Sequence, residues 1–162
     1  MVGLLLYICS MKRLLAIITA SLALPFAALA QTPVESLISS YDDSKGVKVF
    51  VAKGATMSIA RGYIKKSPLR PLAENVEAVT IMMMKNASGE TKTPFLHALR
   101  KSLKAYQFYG RKPGMDGRVV EVYGSPIKNG VVAELVIFNP EQYSLFSLRG
   151  SYPVEELQEL DK

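Results

Sequence analysis

Basic side chains form the densest cluster of chemically active residues in this sequence. No acidic residue falls between Thr91 and Gly114 to neutralise them. Clustered cations raise the local electrostatic potential and attract anions. The cluster contains the single histidine, His97, and five cations that define a candidate anion-binding face: Arg100, Lys101, Lys104, Arg111 and Lys112. The alternative for these residues is a solvated helix face.

His97 lacks the partners of a catalytic histidine. The residues one turn further on are cations, which disfavour an imidazolium and provide no orienting carboxylate. We therefore expect His97 to be an exposed surface residue. Glu121 and Glu134 offer a second route to acid–base chemistry, because they share one face of a predicted hairpin. They lie on non-adjacent rungs, however, with Tyr123 and Val136 between them. No catalytic residue is assigned.

Metal and cofactor chemistry has weak support in the sequence. Met82 and Met84 point to the same side of a predicted strand, and thioether pairs bind copper(I). No further Met or His lies close by on that side of the strand, so core packing is the better interpretation. Asp42-Asp43 lacks the alternating ligands of a calcium loop and predicts a turn. No cofactor is expected.

The N-terminus has the three parts of a secretory signal peptide. Met11-Lys12-Arg13 begins a basic segment, an apolar run follows over residues 14–24, and Ala28-Leu29-Ala30 ends it with small residues. We predict that residues 1–10 are a mis-called upstream start, that residues 11–30 are the signal, and that residues 31–162 form one domain. Cys9, the single cysteine, lies in the discarded part, so no disulfide is expected.

A β-hairpin is the clearest structural element in the chain. Asn129-Gly130 supplies the two positive-φ positions of a type I′ turn. The resulting register places Gly124 opposite Leu135 and Val122 opposite Ile137, and one face should enter the core. The opposite face carries Glu121 and Glu134 among apolar residues and is expected to be solvated.

The remaining elements predict an α+β fold. Helices are expected over Val34–Tyr41, Ala55–Lys66 and Pro153–Leu160, and strands over Val47–Ala52, Val76–Lys85 and Tyr143–Arg149. The longest helix is expected from Thr93-Pro94 to about Tyr109. This order implies a two-layer sandwich: a mostly antiparallel sheet with a C-terminal β-meander, and helices mainly on one face.

Four segments of the chain form a familiar pattern: VESLISSYDDSKGVKVFVAKGATMSIA, PFLHALRKSLKAYQF, VYGSPIKNGVVAELVIF and LRGSYPVEELQEL. In these segments the chain resembles the domain of unknown function 4252 family, small exported proteins found mainly in Bacteroidetes. The resemblance covers nearly all of residues 31–162 and implies an exported α+β domain with no established activity. Some relatives are lipoproteins, which carry a modifiable cysteine where this chain has Gln31.

These observations predict an exported envelope protein, periplasmic or extracellular, that acts as a non-enzymatic binding or accessory module. The expected partner is an anionic envelope component or another envelope protein, and neither nucleic acid nor a membrane-spanning state is expected. The alternatives are a small hydrolase-type enzyme using carboxylates and a structural component of an envelope stress system. A deep pocket lined by Glu121 or Glu134 would favour the enzyme.

Overall fold

The computed structural model describes residues 31–66, 69–114 and 116–159. The predicted signal and the segment upstream of it lie outside the described residues. One antiparallel sheet runs through the described part in the order β1-β2-β6-β5-β4-β3. Its strands are β1 (Lys48–Lys53), β2 (Val76–Met83), β3 (Gln107–Pro113), β4 (Val119–Gly124), β5 (Val131–Asn139) and β6 (Ser144–Pro153).

Helices connect and cover these strands, and the predicted α+β fold class is confirmed. Short 3₁₀ segments at Gly54–Thr56, Arg70–Asn75 and Leu103–Ala105 supplement the α-helices. The α-helices in the described residues are α1 (Pro33–Tyr41), α2 (Met57–Ile64), α3 (Gly89–Ser102) and α4 (Val154–Glu159).

The hairpin of β4 and β5 has the predicted register. Gly124 pairs with Leu135 and Val122 with Ile137, and an isolated bridge joins Lys128 to Val131. Asn129 and Gly130 adopt φ values of 53° and 75°, as a type I′ turn requires. The local chemistry of two turn residues therefore sets the register of the sheet centre.

The sheet is apolar on both faces. We call the side covered by α1 and α3 the α3 face, where Val136, Phe138 and Leu145 are buried. Tyr41 of α1 meets Phe95 of α3 edge-on there, with ring centroids 5.3 Å apart. The prediction of a solvated second hairpin face is wrong, because helices cover it.

The other side, which we call the α2 face, carries the hairpin side chains that were predicted to enter the core. Val122, Leu135 and Ile137 are buried there, as expected, together with Leu148. Short elements cover this face: α2, the 3₁₀ segment Arg70–Asn75 and α4. The longer helices thus lie on one face, and the opposite face has a thinner and incomplete cover.

The longest helix differs from its predicted bounds. Ser88, in extended conformation, precedes the first turn, and its carbonyl accepts hydrogen bonds from the amides of Thr91 and Lys92. Thr93 is therefore not the N-cap, and Pro94 lies inside the helix. The helix ends at Ser102, a 3₁₀ turn follows over Leu103–Ala105, and residues 107–109, predicted as the end of the helix, begin β3 instead. Pairing with β4 and the β propensity of aromatic residues outweigh the helical pattern at this point.

Gly150 allows β6 to pass close to the 3₁₀ segment before β2. A Cβ at this position would collide with the backbone carbonyl oxygen of Asn75, which cannot move as a side-chain tip could. A Cβ at Gly62, inside α2, would meet no atom within 4 Å. Packing therefore requires a glycine at position 150, whereas Gly62 only weakens a helix.

We predict that Gly150→Ala lowers the free energy of unfolding by about 1–3 kcal/mol, because over-packing forces backbone shifts. The matched change Gly62→Ala should raise it by about 0.5–1 kcal/mol, because alanine loses less entropy in a helix. Urea denaturation of both variants measures this. A Gly150→Ala variant as stable as wild type would contradict the packing of β6 described here.

Candidate binding cavity

The predicted basic cluster is divided by the sheet. Arg100 and Lys101 are exposed in the last turn of α3, Lys104 is exposed in the 3₁₀ turn that follows, and His97 is exposed as expected. These four residues keep the helical spacing on which the candidate anion-binding face was based. Its role in binding stays a prediction.

Lys112 does not extend that face, which corrects the sequence prediction, whereas Arg111 lies on the same side of the sheet as α3. Both lie in β3, where neighbouring side chains point to opposite sides of a sheet. Arg111 lies on the α3 face and forms an ion pair with Glu121, at 3.2 Å between guanidinium nitrogen and carboxylate oxygen. Lys112 lies on the α2 face. A strand in place of a helix therefore separates two cations that are adjacent in sequence.

The two candidate carboxylates have structural surroundings. Glu134 is fully buried on the α3 face. One of its oxygens accepts a hydrogen bond from Ser147 at 2.6 Å, and the other accepts one from the Tyr106 hydroxyl at 2.5 Å. Glu121 accepts from Tyr123 at 3.0 Å as well as from Arg111. Neither glutamate is among the residues that line the cavity described next.

The α2 face contains a cavity of about 690 Å³. This volume falls within the usual range for sites that hold small molecules and cofactors. Its floor is the sheet itself, and α2, α4 and β3 supply its walls. Floor side chains come from four adjacent strands and are all apolar: Val79, Ile81, Val120, Val122, Leu135, Ile137, Phe146 and Leu148.

Exposure of the lining residues rises from one end of the cavity to the other. Leu135 and Leu157 are 0% and 2% exposed at the deep end, where α4 covers the sheet. Met83 is 40% exposed and Tyr63 on α2 is 68% exposed. The antiparallel register brings the end of β2 beside the start of β6, since Met83 pairs with Ser144. The cavity is therefore closed at one end and open at the other.

Polar side chains line the open end. The register explains why they gather there: β3 ends beside the start of β4, and β5 ends beside the start of β6. The residues that follow or precede these strand ends form the rim of the opening. They are Lys85, Lys112, Asp116, Arg118, Asn139, Gln142 and Ser144.

Two carboxylate contacts organise part of this rim. Asp116 accepts a hydrogen bond from the backbone amide of Arg118 at 3.1 Å and forms an ion pair with its guanidinium at 3.3 Å. These contacts lower the pKa of Asp116, with the backbone hydrogen bond as the main cause. Asn139 accepts the amides of Glu141 and Gln142, both at 3.0 Å. Hydrogen bonds within these two turns therefore fix the positions of the rim residues.

Tyr109 forms the wall of the cavity at the β3 side. It lies in a bulge of β3, and its ring packs directly over Gly124, where a Cβ would meet the ring at 2.6 Å. Burial raises the pKa of its hydroxyl. Among the described residues, none offers this buried hydroxyl a hydrogen-bond partner. The phenol oxygen therefore has no hydrogen bond to another described residue that a substitution would remove.

Sequence reasoning did not find this cavity. One signal for it was present: β5 carries apolar residues at consecutive positions, Leu135 to Phe138, which is typical of a strand buried on both faces. That pattern requires cover on two sides, and the short helix α2 is too small to cover four strands. The size of the opening depends on tertiary packing that no local pattern encodes.

Comparison with protein-family models, with curated proteins and with solved structures gives no match to this chain. The resemblance to the domain of unknown function 4252 family therefore stays a prediction. In the part of the chain that the structure describes, no group of three or more His, Cys, Asp or Glu residues is placed to hold a metal ion. No helix among these residues is long and apolar enough to cross a membrane.

We predict that Tyr109→Phe leaves the free energy of unfolding unchanged or raises it, because the substitution removes a buried hydroxyl without a partner. Tyr152→Phe is the matched control. Its hydroxyl is buried and donates to the Leu148 carbonyl at 3.2 Å, so its loss should cost about 0.5–1.5 kcal/mol. Urea denaturation separates the two variants. A larger loss for Tyr109→Phe than for Tyr152→Phe would contradict this arrangement.

Proposed function

We propose that this protein is an exported, non-enzymatic binding module that holds a small apolar molecule in the cavity on its α2 face. The observation that carries the proposal is the cavity of about 690 Å³ with a floor of eight apolar side chains. Burial of apolar ligand surface stabilises a complex by roughly 25 cal/mol for each Å² removed from water. A cavity of this kind binds by shape and hydrophobic contact rather than by reaction.

The rigidity of the floor supports a preformed site. The floor strands β2, β6, β5 and β4 are adjacent in one hydrogen-bonded sheet. Leu135, Ile137 and Leu148 have their backbones fixed by pairing on both sides. A site that is already ordered loses little conformational entropy when a ligand binds. Affinity then depends on the apolar area that the ligand buries.

The surroundings of the glutamates favour binding over carboxylate catalysis. Both oxygens of Glu134 accept hydrogen bonds from side chains of the fold, and the residue lies on the side of the sheet away from the cavity. A general acid or base must lie within hydrogen-bond reach of the substrate. The cavity floor offers no titratable side chain for this purpose. Glu121 and Glu134 therefore do not support a hydrolase site at this cavity.

The proposed cellular setting follows from the predicted signal peptide. An exported protein of the bacterial envelope meets lipids and their breakdown products, which are apolar molecules of suitable size. The exposed cations at the end of α3, Arg100 and Lys101, and Lys104 in the following 3₁₀ turn lie on the opposite side of the sheet from the cavity. They remain a candidate surface for an anionic envelope component, independent of the ligand proposed here.

A neutral fluorescent probe tests the proposal. We expect N-phenyl-1-naphthylamine to bind with saturable fluorescence enhancement, and dodecanol to displace it. Ala60 is partly buried on α2 and lines the cavity. Ala60→Trp should weaken probe binding at least tenfold, about 1.4 kcal/mol, because the indole fills the space. Ala105→Trp adds the same group at an exposed position outside the cavity lining and should bind normally.

Thermal melts of both tryptophan variants establish that they are folded. Absence of probe binding by folded wild type would contradict the proposal, as would equal binding by Ala60→Trp. A second copy of the chain is the competing occupant of the cavity. In that case the protein would be a dimer by light scattering, and probe binding would weaken as protein concentration rises, which would also overturn the proposal.

A further inference from the structure

We infer that the ligand carries an uncharged oxygen at the end that enters the cavity first, and that the Tyr109 hydroxyl donates a hydrogen bond to it. A methyl ketone with a long alkyl chain is the simplest compound of this class. This inference rests on the proposed function and adds the chemical class of the ligand and its orientation. Two observations carry it: Tyr109 forms part of the inner wall, and its hydroxyl has no hydrogen-bond partner among the described residues.

Tyr109 lies at the deep end of the cavity, away from the charged rim. Its ring packs over Gly124, and Gly124 pairs with the fully buried Leu135. Arg118 at the open end is six residues before Gly124, which is roughly 20 Å along an extended chain. Tyr109 and the rim therefore contact opposite ends of a molecule that fills the cavity.

The Tyr109 hydroxyl is the polar side-chain group of the inner cavity. The other described lining residues with polar side chains form the rim, except Tyr63, which is largely exposed on α2. All the remaining described lining residues are apolar or glycine. A polar atom at the inner end of a ligand therefore has Tyr109 as its side-chain hydrogen-bond partner.

The state of the hydroxyl suits the role of a donor. Its oxygen is buried, and no described residue bonds to it. Most buried polar groups in proteins are hydrogen-bonded, so a buried hydroxyl without a protein partner is a candidate contact for a bound molecule. Burial also raises the pKa of this hydroxyl, so the phenol keeps its proton and can donate it.

The bulge of β3 and Gly124 together hold the donor in place. The bulge lies between Phe108 and Gly110, where the pairing with β4 shifts. A Cβ on Gly124 would lie 2.6 Å from the Tyr109 ring and 3.1 Å from Val132, so a larger residue would displace the ring. A donor fixed in this way loses little conformational entropy when a ligand binds.

A neutral oxygen suits this donor better than a carboxylate. The lining cations of the described residues, Lys85, Lys112 and Arg118, belong to the rim, so none of them reaches an anion at the deep end. Transfer of a carboxylate from water without a paired cation costs far more than transfer of a neutral polar group. The inner end of the cavity therefore favours a carbonyl oxygen.

The apolar floor sets the length of the alkyl chain. From Val120 to Gly124 along β4 the floor extends about 13 Å, at the usual rise per strand residue. Because a carbon–carbon bond is roughly 1.5 Å long and the chain zigzags, about eleven extended carbons span this distance. A ketone of this length reaches Tyr109 while its alkyl chain covers the floor.

Two isomeric ketones test the inference, because they differ only in the position of the oxygen. Methyl nonyl ketone carries its carbonyl beside one end of the chain, and dipentyl ketone carries it at the middle. Both should displace N-phenyl-1-naphthylamine from the wild-type protein. We expect methyl nonyl ketone to bind about threefold to tenfold more tightly, because one net hydrogen bond contributes about that much to affinity.

Tyrosine variants locate the hydrogen bond. Tyr109→Phe should weaken the binding of methyl nonyl ketone about threefold to tenfold and leave that of dipentyl ketone unchanged, so that the preference disappears. Thermal melts establish that the variant is folded. Tyr152→Phe is the control, because it removes a buried tyrosine hydroxyl from a residue outside the cavity lining. It should keep the wild-type ratio of the two affinities.

Infrared spectroscopy reports on the carbonyl group directly. A hydrogen bond lowers the stretching frequency of a ketone carbonyl, and this band is separate from the amide bands of the protein. Methyl nonyl ketone bound to the wild type should therefore absorb at a lower frequency than the same ketone bound to Tyr109→Phe. Equal frequencies in the two proteins would overturn the inference.

The outcomes separate this inference from the proposed function. If both ketones displace the probe with equal affinity, the cavity is an apolar site and the contact with Tyr109 is wrong. A preference that persists in Tyr109→Phe would also overturn the inference, because another group or a water molecule would then bind the oxygen. If neither ketone displaces the probe, the proposed function fails as well.

Discussion

The central constraint on this structure is that β5 is apolar on both sides. Leu135 and Ile137 point to one face of the sheet, and Val136 and Phe138 to the other, and all four are buried. A strand of this kind is stable only when both faces are covered. The rest of the chain meets this requirement with helices of unequal size. The α3 face is sealed, and the α2 face keeps an opening.

The sealed face explains the burial of a carboxylate. Glu134 is fully buried on this face, and its hydrogen bonds to Tyr106 and Ser147 compensate for the loss of water. Arg149, opposite Glu134 in the register, forms an ion pair with Glu35 of α1 at 3.3 Å. These polar contacts fix the position of the helices over the sheet. The α2 face has no comparable helix pair, which leaves the apolar floor accessible at one end.

Local chemistry accounts for the parts of the fold that the sequence predicted. Asn129-Gly130 demands one turn type, so the register of β4 and β5 follows from two residues. Helix α1 and strand β2 also agree with their hydrophobic periodicity. The strand β3 was not predicted, because Tyr106 to Tyr109 continue a helical pattern and no proline or glycine interrupts it before Gly110. Its formation depends on pairing with β4, a contact that is not local.

The candidate site also depends on contacts between residues that are distant in sequence. Arg111 and Lys112 are adjacent in sequence, and only a strand assignment shows that they lie on opposite faces. The burial of Glu134 depends on Tyr106 and Ser147, which are distant in sequence. The cavity depends on which part of the floor α2 leaves uncovered. The residue types were visible in the sequence, but their grouping into a rim and a floor required the sheet order β2-β6-β5-β4.

Methyl NMR spectroscopy with dodecanol tests the central claim most directly, because neighbouring residues of β5 and β6 report on opposite faces. The account predicts that the methyl signals of Leu135, Ile137 and Leu148 shift on titration. Those of Val136 and Leu145, which lie on the α3 face beside them, should stay nearly unchanged. Shifts confined to the α3 face, equal shifts on both faces, or no shift at all would contradict the claim that the cavity is the binding site.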